Sequence, residues 1–463
     1  MALIDKASLL MVPSTYEAGK LYNVLPSGNR APDNKGGAGY DQTRADFDFD
    51  RGSNAAATRI NSSGLIEKYR ENVFTFSNDF SNSAWNLKAG TFTQGVEDPN
   101  GGNTAWSWTA QTTDPYIYQQ LSVSGVYTLS IYAKGVGSTI GANFQVRSPS
   151  TQNFTLTNEW QRFEIYNIPA NSNLGFEFGN PATPNDVVHI YAAQLEVGTI
   201  ATEYLDSGAT TGKAGVLVDM PRINYDANGE NGALLLEPSR ANLLPYSEYF
   251  GAGWSLLSGG SFTFNQATSP EGLQNASLLS GDGVNANAAY FSASVTSGSS
   301  YSFSLFAKAN GQNLLRMRGF SPAAGGDVVF DLSDGTIETA PSDDFSNATI
   351  KPMGSGWYRC SVIATADATN AGALFGFDYS DSSGSGGLFY VYGAQFEAGS
   401  YVSSYIPNHS GTGVTRAADS CNSSSLTTST DFTIFFEAKD FCLINGGTTA
   451  GYAGVQFVFG PSI

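Results

Sequence analysis

One pattern is written twice along this chain, in the same order. Asn72-Val-Phe-Thr-Phe-Ser-Asn-Asp-Phe80 with Trp85 aligns with Asn242-Leu-Leu-Pro-Tyr-Ser-Glu-Tyr-Phe250 with Trp254. Pro99-Asn-Gly101 and Ala105 align with Pro270-Glu-Gly272 and Ala276, and Tyr127-Thr-Leu-Ser-Ile-Tyr-Ala-Lys134 with Tyr301-Ser-Phe-Ser-Leu-Phe-Ala-Lys308. Trp160-Gln-Arg162 then matches Trp357-Tyr-Arg359. Tyr191-Ala-Ala-Gln-Leu-Glu-Val-Gly198 matches Tyr392-Gly-Ala-Gln-Phe-Glu-Ala-Gly399, and Tyr204 matches Tyr405. A fixed order with a drifting offset is what homologous modules leave when loops grow, because added loop length costs little free energy. The offset is 170 residues at Asn72, 174 at Tyr127, 197 at Trp160 and 201 at Tyr191. The largest insertion in the second copy therefore lies between Lys308 and Trp357.

Each copy reads as all-β. Tyr127, Leu129, Ile131 and Ala133 alternate with Thr128, Ser130 and Tyr132, and the stretch from Tyr301 to Lys308 alternates likewise. Asn100-Gly101 and Asp334-Gly335 punctuate such runs, and no stretch carries convincing helical spacing. Many short strands in a module of this size predict tandem jelly-roll or β-sandwich modules. The expected organisation is an N-terminal segment with pairing strands (1–70), a first sandwich (71–207), a linker with strand character (208–239), a second sandwich (240–409) and a further segment (410–463). The last of these reads as opening strands that cannot close a sandwich by themselves.

Composition narrows the function. With 23 basic and 41 acidic residues the formal charge is −18, which repels nucleic acid, whose binders must neutralise phosphates. No apolar run approaches the ~20 residues of a membrane-spanning helix. The start, Met1-Ala-Leu-Ile-Asp-Lys6, does not read as a secretory signal. Cys360, Cys421 and Cys442 form no C-x-x-C pair and are read as small core residues of a chain made in a reducing cytosol.

No catalytic residue is assigned. His189 and His409 occupy different repeat positions with no third ligand in view. Glycoside hydrolysis needs two carboxylates in one cleft, whereas Glu196 and Glu397 are a single carboxylate repeated once per module. They are read as structural, bonding backbone or pairing with Arg162 and Arg359. Aromatic residues are the better candidates for binding. Trp106-Ser-Trp108 places two indoles on one strand face, and Tyr116-Ile-Tyr118 repeats the spacing. Trp85, Trp160, Trp254 and Trp357 recur in both copies and read as packing residues, while Trp106 and Trp108 have no evident counterparts. Trp106, Trp108, Tyr116 and Tyr118 are therefore the expected glycan-stacking platform.

Taken together, these motifs resemble a family of tailed-bacteriophage structural proteins of the head-fibre or tail-fibre type. The residues that carry the resemblance are Arg240-Ala-Asn-Leu-Leu-Pro-Tyr-Ser-Glu-Tyr-Phe250, Gly356-Trp-Tyr-Arg359, Tyr392 to Gly399, Ser403-Ser-Tyr-Ile-Pro407 and Val414-Thr-Arg-Ala-Ala-Asp419. It also covers Ala57 to Glu67 and Pro221 to Pro238, spanning roughly residues 45 to 440. The first module departs from the pattern, with Glu203-Tyr-Leu in place of Ser-Tyr-Ile-Pro. The resemblance implies carbohydrate-binding-module-like jelly rolls, a trimeric fibre or spike, a virion-anchoring N-terminal segment and a concanavalin-like lectin start after residue 410. It implies no cofactor beyond a structural Ca²⁺, for which Asp378-Tyr-Ser-Asp381, Asp282 and Asp98 supply acidic loops. Host-surface glycan is the implied partner and the virion the implied location. The competing expectation is a secreted carbohydrate-binding or polysaccharide-depolymerising protein.

Overall fold

Alternation along each repeat resolves into two facing sheets. The computed structural model describes residues 11–17, 20–23 and 47–422, apart from 122, 124, 148–151, 170–172, 180, 258, 285–287, 321–322 and 380–384. The expected lectin-like strands beyond residue 422, together with Cys442, lie outside these residues. In the first repeat one sheet orders its strands Gln152–Thr155, Asn143–Arg147, Asn173–Phe178, Tyr116–Gln120, Asn86–Lys88. The other runs Gln161–Pro169, Val126–Val136, Val187–Val197, Ala105–Ala110, Gly90–Val96. Each described pairing is antiparallel, so each sheet has one face for the core and one for the outside. The molecule is all-β, with tandem jelly-roll sandwiches.

The second repeat keeps the same strand order and adds one strand to an edge of each sheet. These are Thr336–Thr339 on the first sheet and Phe345–Pro352 on the second. Both lie between Lys308 and Trp357, where the offset jumps. An edge is the one place where a sheet takes an extra strand without breaking existing hydrogen bonds.

Two cores fill the spaces between sheets. Leu129, Ile131, Phe144, Phe176, Ile190 and Leu195 pack in the first, and Phe303, Leu305, Met317, Phe375, Phe377 and Phe396 in the second. Each repeat is closed by one buried amide. Asn72 donates to the carbonyls of Ala193 (3.0 Å) and Leu205 (2.9 Å), and its Oδ1 accepts from the N–H groups of Phe74 (3.2 Å) and Leu195 (3.1 Å). Asn242 makes the same four bonds, to Ala394 (3.3 Å), Ile406 (2.9 Å), Leu244 (3.1 Å) and Phe396 (3.1 Å). A primary amide has two donors and an acceptor oxygen with two lone pairs, and all are used here.

The repeated Gln-x-Glu pair holds the return segment beside it. Gln194 Oε1 accepts from Leu205 N–H (2.7 Å), and Gln395 Oε1 from Ile406 N–H (2.6 Å). Glu196 accepts from the Thr202 N–H (2.8 Å) and hydroxyl (2.6 Å), and Glu397 from the same groups of Ser403 (3.1 and 2.5 Å). The expected arginine partners act on these carboxylates through charge, and their direct bonds go to other groups. Arg162 donates to Ser130 Oγ (2.9 Å) and Arg359 to Ser304 Oγ (3.1 Å) and Ser403 O (2.9 Å). Neither forms an ion pair with Glu196 or Glu397 among the described residues. The carboxylates are satisfied by local N–H and O–H groups, which leaves the guanidinium groups to bridge to the neighbouring strand.

Segments outside the repeats fold back onto them. Strand Gly212–Ala214 pairs with Arg70–Asn72, Val414–Arg416 with Arg240–Asn242, and Ser420–Asn422 with Phe47–Asp50. The linker contributes a hairpin, Arg222–Asn224 with Ala233–Leu235. Fully buried Arg222 and Arg416 share Glu237 at 2.9 and 3.0 Å, and Arg222 also pairs with Asp419. The Thr-Arg-Ala-Ala-Asp motif is thus a buried ionic clasp.

A second buried ionic group ties residue 68 to the second sandwich. Lys68 Nζ lies 3.0 Å from Glu248 and 2.8 Å from Glu271, and Tyr405 Oη donates to Glu248 at 2.8 Å. Burial by itself would raise the Glu248 carboxyl, but Lys68 and His409 beside it hold it below the ordinary carboxylate range. Burial would lower Lys68, but the two carboxylates hold it above the usual lysine value.

Two predictions follow from these clasps. Asn242→Ala leaves four backbone groups of the closure without partners, at about 1–3 kcal/mol for each one that stays buried. Its urea midpoint should fall well below that of the native chain, with loss of the 240–409 transition in calorimetry. Lys68→Met should cost about 3–5 kcal/mol by stranding Glu248 and Glu271. In the native chain the Glu248 contribution is complete above the unfolded carboxyl pKa of about 4.3 and is lost as pH falls through the depressed folded value. The Lys68 contribution is complete below about 10.4 and is lost as pH rises through its raised folded value. Thermal melts across pH should therefore show a plateau between these limits that is lower in the Lys68→Met variant.

Candidate functional site

Register decides which residues of the Tyr116–Gln120 strand face outward. Ile117 packs in the core opposite Phe176, so Tyr116 and Tyr118 stand on the outer face. Their ring centroids are 5.6 Å apart, inclined at 32°. On one side Tyr116 pairs with Lys88 and Tyr118 with Asn86. Lys88 Nζ lies 4.9 Å above the Tyr116 ring and 2.6 Å from Asp114. On the other side Tyr118 faces Gly175 and Tyr116 faces Glu177, with Gln145 and then Asn153 in the next two strands. Glu177 is buried although it points to the outer face.

The second module builds the equivalent face from different side chains. Tyr290 faces Gly376, as Tyr118 faces Gly175. A Cβ on Gly175 would lie 2.6 Å from the Tyr118 Cβ, and one on Gly376 2.8 Å from the Tyr290 Cβ. Only glycine lets these strands close, and its bare backbone leaves room beside the ring. Two residues on, buried Asp378 takes the place of Glu177 and is gripped by Arg316 through two bonds of 2.7 and 2.8 Å. Arg318 reaches the same carboxylate at 3.3 Å and lies 4.5 Å over Phe320, whose ring is 5.9 Å from Tyr290. Bonding to Asp378 raises the Arg316 pKa.

Chemically, both faces combine a half-buried, outward aromatic ring with amide, carboxylate or guanidinium groups beside it. A pyranose offers C–H faces to such a ring and hydroxyls to such polar edges. Sequence reading singled out Tyr116 and Tyr118, took Asp378 for a loop carboxylate, and did not single out Gly175, Gly376 or Glu177. The signal was present: Gly175-Phe-Glu177 and Gly376-Phe-Asp378 fall at the same 201-residue offset as Tyr191 and Tyr392.

Trp106 and Trp108 do not belong to this face, which corrects the expected platform. They lie in the Ala105–Ala110 strand of the opposite sheet, and both point into the core at 5% and 0% exposure. Trp108 meets Phe178 edge-on at 4.7 Å, and Trp106 donates its indole N–H to Asn78 O at 2.8 Å. Gly90 makes the space, since a Cβ there would lie 2.4 Å from the Trp108 Nε1. Their positions are shared between repeats even though their identities are not. Ser277 and Leu279, which follow the matched Ala276, are also buried.

Two of the carboxylates considered for Ca²⁺, Asp98 and Asp378, are engaged by protein groups. Asp98 accepts the N–H groups of Asn100, Gly102 and Thr104 and the Thr104 hydroxyl, and these bonds lower its pKa. Asp378 is a strand residue paired with two arginines, and Asp381 lies outside the described residues. Among the described residues no cluster of three His, Cys, Asp or Glu side chains is placed to hold a metal.

No protein-family model matches the chain, and no curated protein matches it. Among solved structures it is similar to the N-terminal CBM22-1-CBM22-2 tandem domain of Paenibacillus barcinonensis Xyn10C. The identity is 12% and the TM-score 0.23, over 75% of this chain and 100% of that one. It is also similar to the ANX2 ectodomain of Arabidopsis thaliana, at 11% identity and TM-score 0.20, over 64% and 90% of the two chains. At such scores these likenesses carry no weight for function.

The burial of Trp108 yields a direct test. Trp108→Ala should cost about 3–5 kcal/mol, as large core truncations do. The loss should appear as a lowered first-module melting transition in calorimetry.

Proposed function

We propose that this chain is a non-catalytic saccharide-binding protein that reads glycans with the outer sheet faces of its two sandwiches. One observation carries the reading: in both modules an outward tyrosine lies against a glycine, two residues from a buried carboxylate, on a strand whose neighbours supply amides or arginines. A residue pair kept only for packing has no need to leave the ring on the solvent side. Each face offers stacking and hydrogen bonding without the paired, cleft-bound acids that glycoside hydrolysis requires.

Within that reading, the chain serves as a fibre or spike subunit of a bacteriophage virion, made in the host cytoplasm and assembled as a homotrimer. It holds other virion proteins through its N-terminal segment and host-surface glycan through its modules. The support is the order of motifs from Ala57 to Asp419 and the tandem array itself. The second module's Arg316 and Arg318 are balanced by Asp378 and by Asp327 across from Arg318, so this face, like the first module's Tyr116, Tyr118, Gln145 and Asn153, suits the hydroxyls of neutral sugars.

A glycan array probed with the full chain tests the binding, and Tyr118→Ala and Tyr290→Ala variants test the site. Each substitution should weaken its module's binding about tenfold or more, equivalent to roughly 1.4 kcal/mol, with the melting temperature unchanged. An array with no retained glycan, or variants that bind as the native chain does, would remove the reading. Negative-stain images test the assembly: elongated three-fold particles are expected, and a lone monomer with no affinity for phage particles counts against it.

A further inference from the structure

The hairpin that precedes the first repeat is seated on the second. Thr58–Ile60 and Ile66–Lys68 pair with each other, and Ile66 N–H donates to Pro270 O at 2.9 Å while Thr58 Oγ1 donates to Tyr405 O at 2.6 Å. Ile66 packs with Phe306, Trp357, Tyr392 and Tyr405, and Lys68 stands over the Tyr392 ring at 5.8 Å. Under that hairpin the four aromatic residues are 0–3% exposed.

The first module owns the same seat, and it is open. Tyr132, Trp160, Tyr191 and Tyr204 stand at the positions of Phe306, Trp357, Tyr392 and Tyr405, and all four are partly exposed. The geometry is already built. Tyr132 and Tyr191 are 6.1 Å apart at 56°, against 5.9 Å and 53° for Phe306 and Tyr392. Tyr191 and Tyr204 are 5.9 Å apart at 53°, against 5.8 Å and 51° for Tyr392 and Tyr405. Each repeat even uses the same bulge to aim its central tyrosine, with Ala192 at φ 57° and Gly393 at φ 59°. The Trp357 indole N–H donates to Thr268 O at 2.9 Å, whereas the buried Trp160 N–H has no acceptor among the described residues.

A matching insert is also left uncovered. In the first hairpin Arg59 bonds Glu67 at 2.7 Å, and in the linker hairpin Arg222 bonds Glu237 at 2.9 Å. The residue before that glutamate is Ile66 in one and Leu236 in the other. Ile66 is 4% exposed and Leu236 47%. Charge agrees with shape. The filled seat has Glu248 and Glu271 to receive Lys68, while the open seat has Asn78 and Asn100 at those repeat positions, and the linker has Pro238 where the first hairpin has Lys68. The linker thus brings no lysine, and the seat offers no carboxylate at the two positions that would receive one. The acids beside it, Asp98 and Asp206, are already bonded within the first module, Asp98 by Thr104 and Asp206 by the Tyr204 hydroxyl, so the contact strands no buried ion.

We propose that copies of this chain join through these two features, the Leu236 edge of one linker hairpin seating on the Tyr132–Trp160–Tyr191–Tyr204 face of the next copy's first module. Within one chain that hairpin is fixed against the Thr58–Ile60 strand, by Tyr225 N–H to Ile60 O at 3.0 Å and Ile60 N–H to Asn224 Oδ1 at 2.8 Å. The seat is therefore filled from a second copy. Such a contact is heterologous, using different surfaces on the two partners. It closes into a ring when the rotation allows and extends as a filament otherwise.

Sedimentation equilibrium of the full chain over a range of concentrations tests this. The native chain should exceed monomer mass, and Leu236→Asp, a change at an exposed position, should weaken association at least tenfold with unchanged melting. Asn100→Glu should weaken it by burying an acid in the seat, and the Asn100→Glu, Pro238→Lys double variant should restore it. A native chain that stays monomeric, or association that survives Leu236→Asp, overturns the proposal. So does a Tyr191→Ala variant that associates normally but loses saccharide binding, which would assign the face to a sugar. Loss of saccharide binding on Tyr118→Ala or Tyr290→Ala bears only on the outer sheet faces, so the two readings fail separately.

Discussion

A buried amide that satisfies four backbone groups holds each repeat shut. Asn72 and Asn242 join the entry of a sandwich, the bulged central strand and the returning tail, three stretches far apart in sequence. Antiparallel sheets are indifferent to where a chain enters and leaves them. The amide removes that freedom, because any other path would leave unpaired N–H and C=O groups in an apolar interior. With entry and exit fixed, the Gln-x-Glu pair can clamp the tail, and the bulge can turn its tyrosine outward.

Fixing the back of each sandwich this way leaves the opposite sheet free to vary. That is where Tyr116, Tyr118 and Glu177 in one module become Tyr290, Arg316, Arg318 and Asp378 in the other. Variation on an outer sheet face costs little stability, since only the inward half of each strand packs. A duplicated scaffold can therefore carry two surfaces built from different side chains. The polar clasps at the sandwich ends, Lys68 with Glu248 and Glu271, and Arg222 and Arg416 with Glu237, orient the connecting segments instead.

Much of the fold was legible from the chain because its signals are local. Period two at Tyr127–Lys134, Asn-Gly and Asp-Gly turns and a one-way drift in offset needed no knowledge of distant residues. The offset jump even marked where the Thr336–Thr339 and Phe345–Pro352 strands were added. Less of the candidate site could be read. Tyr116-Ile-Tyr118 and Trp106-Ser-Trp108 have the same spacing and chemistry, yet one pair faces out and the other fills the core.

By itself, then, the sequence determined strand character, repeat number and the placement of insertions, since each depends on neighbours along the chain. It also singled out Glu196 and Glu397 through their recurrence at one repeat position, where both accept bonds from the returning segment. Tertiary structure decided which face of each strand meets the opposing sheet, because that depends on register with strands tens of residues away and a one-residue shift inverts it. It decided likewise that Trp108 is core, that Arg359 bonds serine rather than Glu397, and that Ile66 is covered while Leu236 is not. Those outcomes follow from which surfaces meet in space, and alternation along a strand carries no record of what lies across from it.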